Sequence, residues 1–183
     1  LARMFEALLA VSRGEIVGGL RLLRAGFDGL GESLPAFDHV KFQIDIAETL
    51  GRTGQIADGL TMAEQAIERC EQTNDRWLFP ELLRLKGDLM LRKESDTAKA
   101  EDCFREAIDW ARRQGALSWE LRAATSLARL LRDQRRCAEA IAVIKPVYNR
   151  FTEGFGTTDL ANAKALIDDL HRVSRDEKSD WPR

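Results

Sequence analysis

The sequence predicts an all-α fold, a right-handed α-solenoid of four helix hairpins closed by one further helix, and three observations carry that expectation. Small residues recur with a period near 40: Gly19, Gly59, Ala100 and Ala140 stand 40, 41 and 40 apart, while Ala7, Ala47, Gly87 and Ala128, 12 or 13 positions ahead of them, stand 40, 40 and 41 apart. A breaker or polar turn lies between the two small positions of every unit: Ser12-Arg13-Gly14, Gly51 to Gly54, Lys93 to Thr97, and Asp133 to Arg136. The flanking segments carry apolar stripes at helical spacing, clearest in Ala100, Cys103, Phe104, Ala107, Ile108 and Ala111. Each unit is therefore helix A, turn, helix B, and its small residues let two antiparallel helices approach to about 8 Å. One hairpin alone cannot bury its stripes; stacked hairpins share a continuous core.

Taken in order, the helices are expected near residues 1–11, 15–30, 35–51, 55–72, 76–92, 97–114, 117–133 and 137–152. The repeats run about 1–33, 34–74, 75–115 and 116–155. Pro35 suits a first helical turn, where its missing N–H is not needed. Pro146 falls inside an apolar stripe with Ile144 and Tyr148 and is expected to kink its helix. After Gly154-Phe155-Gly156, the glycines of which fit a tight turn around a packed ring, Leu160, Ala163, Leu166, Ile167 and Leu170 form a stripe without a partner hairpin. That is the pattern of a capping helix, placed at 157–172, with Thr158 or Asp159 as N-cap. Residues 173–183 are charged and aperiodic and read as a disordered tail.

The 183 residues include 44% hydrophobic and 32% charged, with 4 prolines, a balance that favours helix. A net charge of -2 gives no general attraction for nucleic acid or anionic lipid, so neither a nucleic acid nor a membrane is expected as a direct partner. Cys70, Cys103 and Cys137 form no CxxC pair and are odd in number, which points to a reducing, cytoplasmic setting; Cys103 and Cys137, on or beside helix B stripes, are expected in buried apolar roles. The chain opens inside a helical pattern at Leu1 without an initiator Met, and reads as a piece of a longer protein. Leu1, Met4 and Leu8 of that first helix are apolar at positions that are polar in later repeats, so a cover over them is expected.

No phosphate-binding, dinucleotide-binding, nucleophile-elbow or zinc-hydrolase motif occurs, and His39 and His171 lie about 130 residues apart. No catalytic group, cofactor or metal site is expected, and the segment is read as non-enzymatic. Trp77, Trp110 and Trp119, at helix ends, are expected to wedge between hairpins.

The small, bulky, small signature with a preceding Gly or Ala, best at Gly87, Ala100, Phe104 and Ala107, resembles tetratricopeptide (TPR) repeats, though the unit is about 40 residues long and lacks their terminal Pro. Over residues 75–170, the runs Arg84 to Leu89, Ala100 to Ala107, Ser118 to Arg129 and Pro146 to Leu160 resemble the C-terminal repeat region of multidomain bacterial signalling ATPases. In that family a cyclase or winged-helix DNA-binding domain and a nucleotide switch precede the repeats. The resemblance implies a sensor or regulatory segment that receives a signal and biases an attached switch domain. It also implies that helix A lines a concave face, onto which Lys41, Ile44, Glu48, Glu81, Arg84, Asp88, Arg122, Thr125 and Arg129 would point. The implied partners are a protein or peptide, a small anionic ligand held by Arg84, Arg122 and Arg129, and the switch domain itself. The alternative is a structural scaffold or oligomerisation module, with weak pairing of copies.

Overall fold

The computed structural model describes residues 2–30, 35–93 and 96–179, and every regular element among them is an α-helix. In chain order they are α1 (Ala2–Ser12), α2 (Ile16–Leu30), α3 (Ala36–Arg52), α4 (Ile56–Thr73), α5 (Phe79–Arg92), α6 (Thr97–Gln114), α7 (Leu117–Asp133), α8 (Cys137–Tyr148) and α9 (Thr158–Ser179). None of these helices is long and apolar enough to cross a membrane. The chain divides into two compact units, Leu1–Ala100 and Glu101–Arg183, the division falling inside α6.

In the first unit α1 pairs with α2 and α3 with α4; α3 also packs on α2, and α5 packs on both α3 and α4. The recurring small residues mark the crossings. A Cβ placed on Gly19 would stand 2.9 Å from the Ala7 carbonyl oxygen, and one on Gly59 would stand 3.1 Å from the Ala47 carbonyl oxygen. One contact is thus made twice, 40 residues apart. Around the first crossing Ala7, Val11, Leu20, Leu23, Ile46 and Leu50 form a single buried cluster. Each fully buried Leu or Ile there contributes about 1.5–3 kcal/mol relative to an exposed one.

The turn inside the hairpin is repeated as closely as the crossing. Gly14 and Gly54 take φ of 94° and 81°, and the next residue donates its N–H back into the preceding helix, Glu15 to the Ala10 carbonyl and Gln55 to the Leu50 carbonyl. In the second unit Arg135 occupies the matching place at φ 61°, with Arg136 N–H donating to the Leu131 carbonyl. A left-handed residue closing a helix is usually Gly, and here an arginine holds that conformation.

Within the second unit α7 pairs with α8, and α9 packs against both. Leu160, Ala163, Leu166, Ile167 and Leu170, all buried, are the side chains α9 contributes. The helix does not stop at residue 172, however, but continues to Ser179, so residues 173–179 are helical where a disordered tail was expected. Apolar periodicity ends near residue 170, but Arg, Glu and Lys are good helix formers and prolong a helix already nucleated by packing. Residues 180–183 lie outside the described residues.

Three further expectations are corrected. α5 begins at Phe79 and not near 76, because Pro80 stands in its first turn and the residues before it form a turn closed by Phe79 N–H to the Arg76 carbonyl. α8 ends at Tyr148 and not near 152, because the chain leaves it through tighter turns, Arg150 N–H donating to the Val147 carbonyl and Phe151 N–H to the Tyr148 carbonyl; Pro146 stands inside the helix. Trp77 is no wedge, being 66% exposed in the turn before α5. Leu1 and Met4, expected to need a cover, have side chains outside the described residues, while Leu8 is partly buried against the first core cluster.

Candidate binding faces

In the first unit α3 and α5 run side by side, close enough that the charge of Glu48 on α3 acts on Arg84 of α5. Arg84, on α5, is buried, and its guanidinium is already engaged: Nε donates to Glu81 Oε2 at 2.9 Å, Nη2 to Glu81 Oε1 at 2.7 Å, and Nη1 to Asp88 Oδ2. The spacings of three and four residues stack these partners on one stripe of the helix. Burial disfavours the Arg84 charge, yet the Glu81 bonds, with the charges of Glu81, Asp88 and Glu48, outweigh it and hold the guanidinium's pKa above its ordinary value. A forked pair of this kind is a strong ionic contact. Arg84 therefore organises the face and does not present open donors to a ligand.

On α3, Lys41 Nζ donates to Asp45 Oδ1 at 2.5 Å, Ile44 is buried and Glu48 is exposed. Asp45 is a member of this face that the sequence did not single out, since a polar residue one turn from Lys41 reads as half of a solvated pair. Its Oδ2 is buried without a hydrogen-bond partner. Burial raises its pKa, Lys41 lowers it, and the charges of Glu48 and Glu81 raise it further, with a net upward shift. A carboxyl whose folded pKa exceeds the unfolded one burdens the fold above that pKa and ceases to do so as pH falls through it. Asp45→Asn is therefore expected to raise the urea midpoint at pH 7 and to leave it unchanged in acid. A variant less stable than the parent at neutral pH would show that the Lys41 pair dominates.

In the second unit α7 carries the other expected residues. Thr125 is buried and donates to the Leu121 carbonyl at 2.7 Å, a bond internal to the helix. Arg129 is exposed; Arg122 is partly exposed, its Nε 3.8 Å from Asp159 Oδ2. Nearby stands a cluster the sequence did not flag. Glu120 is 1% exposed and accepts from Arg112 Nε at 2.7 Å and Arg150 Nη1 at 2.5 Å. An acidic residue in a first helical turn reads as dipole-favoured surface, and nothing local reveals that partners 8 and 30 residues away converge on it.

The remaining chemistry-bearing side chains are packed. His39 is buried, 4.5 Å from the Phe27 ring, with Nδ1 3.2 Å from Gln43 Oε1. Cys70 and Cys137 are buried, Cys103 is only partly buried where a buried role was expected, and burial pushes the Cys70 thiol up to about 11. Phe155, expected as a packed ring, is half-exposed and lies 6.0 Å from the Tyr148 ring. Trp110 lies under the Arg113 guanidinium at 4.1 Å. Among the described residues no three His, Cys, Asp or Glu side chains are grouped to hold a metal ion.

The sequence matches no protein-family model and no curated protein. Its fold matches solved TPR-like repeats. A Podosopora anserina protein, described as a kinesin light chain with nearly identical TPR-like repeats, is 11% identical with a TM-score of 0.71 over 97% of this chain and 88% of that one. A point variant of it gives 0.72 at 11% identity, over 97% and 87% of the two chains. BtubC (BKLC) from P. vanneervenii gives 0.68 at 13% identity, over 97% and 80%. At such identities the likeness is one of fold.

Proposed function

We propose that this chain is a non-enzymatic binding array, the sensor or regulatory segment of a larger bacterial signalling or transcriptional regulator, and that it takes an acidic peptide segment along α7. The observation that carries the reading is the contrast between the two units. In the first, Asp45, Glu48, Glu81 and Asp88 outnumber Lys41 and Arg84, and Arg84 is committed to its carboxylates. On α7, by contrast, Arg122 and Arg129 stand two turns apart and reach solvent, with Thr125 between them. Two guanidiniums on a rigid helix suit paired carboxylates on an extended or helical peptide. Arg122 also pairs with Asp159 at 3.8 Å, and ion pairs between partly exposed groups contribute little.

A ligand acts on an attached switch only through its differential affinity for two states of the array. Repeat arrays, in which each hairpin contacts its neighbours, offer such states through small changes in stacking. Peptide phage display panned against the whole chain tests the reading. Acid-rich sequences are expected to be enriched on the parent and lost on Arg122→Ala/Arg129→Ala, whose folding should be unchanged because both side chains reach solvent. Enrichment of basic sequences, or equal enrichment on parent and variant, would reject it.

A further inference from the structure

We infer that the outer face of α1 and α2 is a docking surface for an antiparallel helix pair of the same kind as α3 and α4, seated in the register that α5 uses on those two helices. The argument compares equivalent positions. Leu89 of α5, 1% exposed, sits in a seat made by two glycines of the preceding pair: a Cβ on Gly51 would lie 2.7 Å from its Cδ2, and one on Gly59 would lie 3.4 Å from both its methyls. Forty residues before, Thr49 is buried at the same position of α3, and forty before that stands Leu9 of α1, 55% exposed. One more position behaves alike. Leu22, 49% exposed, matches Met62, which packs against the first core cluster. Two apolar side chains of the first hairpin thus repeat a pattern that later hairpins use to sit on the pair before them.

The seat selects the occupant. In this register a leucine is received by glycines at the end of one helix and the start of the next, which brings backbone to methyl. The α1–α2 pair does not offer such a seat to a second copy, because α1 carries no glycine and Gly18 of α2 stands without a partner glycine on the neighbouring helix. This interface is separate from the α7 stripe and does not depend on it.

The test places a helix pair ahead of that face. Duplicating residues 34–80 ahead of residue 1 puts Gly51 and Gly59 of the duplicate before Leu9 as they stand before Leu89, since residue 1 matches residue 81. Amide exchange in α1 is expected to slow by about tenfold or more relative to the parent. Leu9→Ser in the fusion, and separately Gly51→Leu in the duplicate alone, should each return α1 to the parent rate, since a side chain on Gly51 meets only the helix seated on the pair. In the parent, Leu9→Ser should change little, and sedimentation should show a monomer. The inference is overturned if α1 exchanges in the fusion as it does in the parent. It is equally overturned if the parent forms a dimer that Leu9→Ser dissolves, which would assign the face to a second copy.

Discussion

Arg84→Ala is expected to lower the folding free energy by about 3–5 kcal/mol, because it strands a buried carboxylate. Glu81 is 5% exposed, and both its oxygens accept from Arg84. Truncating the guanidinium removes the forked pair that both oxygens accept while the carboxylate stays buried. The double variant Arg84→Met/Glu81→Leu removes both charges and refills the volume, so it should recover most of the loss; replacing a buried pair by apolar groups is often neutral. Urea denaturation of the two variants and the parent decides the matter. A loss below about 1 kcal/mol for Arg84→Ala would mean an exposed pair, and would return Arg84 to the set of side chains open to an anion.

That experiment bears on how much of the site could be read from sequence. The spacing of Glu81, Arg84 and Asp88 is visible as i, i+3 and i+7, and it places them on one helical stripe whatever the fold. Their burial is not visible, for it depends on α3 lying alongside α5, a contact between segments 40 residues apart. The same limit hid Asp45 and Glu120. Each looks like surface within its own helix, and each is enclosed by groups that only the tertiary fold assembles. Repetition made the hairpins themselves legible, since one packing problem solved the same way at each repeat leaves the same small residue at the same interval. Where the chain departs from repetition, at the entry to α5, at the end of α8 and beyond residue 170, local chemistry set the boundary and the periodic pattern misplaced it.

Adjacent glycines in α2 should respond to alanine with opposite signs, which tests the crossing geometry within a single turn of helix. Gly18 has nothing within 4 Å of an added Cβ. Replacing it by Ala removes backbone freedom from the unfolded chain and favours helix, a gain of about 0.5–1 kcal/mol. At Gly19 the added Cβ would lie 2.5 Å from Val11 Cγ2, 2.9 Å from the Ala7 carbonyl oxygen and 3.0 Å from the Val11 nitrogen. Two of those three atoms are backbone of α1, so no rotamer change relieves the clash and the helices must separate. Overpacking of this kind costs about 1–3 kcal/mol for Ala and more for Leu, against the same propensity gain. Separation would also loosen Ala7, Val11, Leu20 and Leu23, all in one cluster. Gly19→Ala should therefore bring faster amide exchange in α1 and α2, while Gly18→Ala slows it or leaves it unchanged. If both substitutions raised the denaturation midpoint, α1 and α2 would not approach through Gly19, and the register that relates it to Gly59 would have no physical basis.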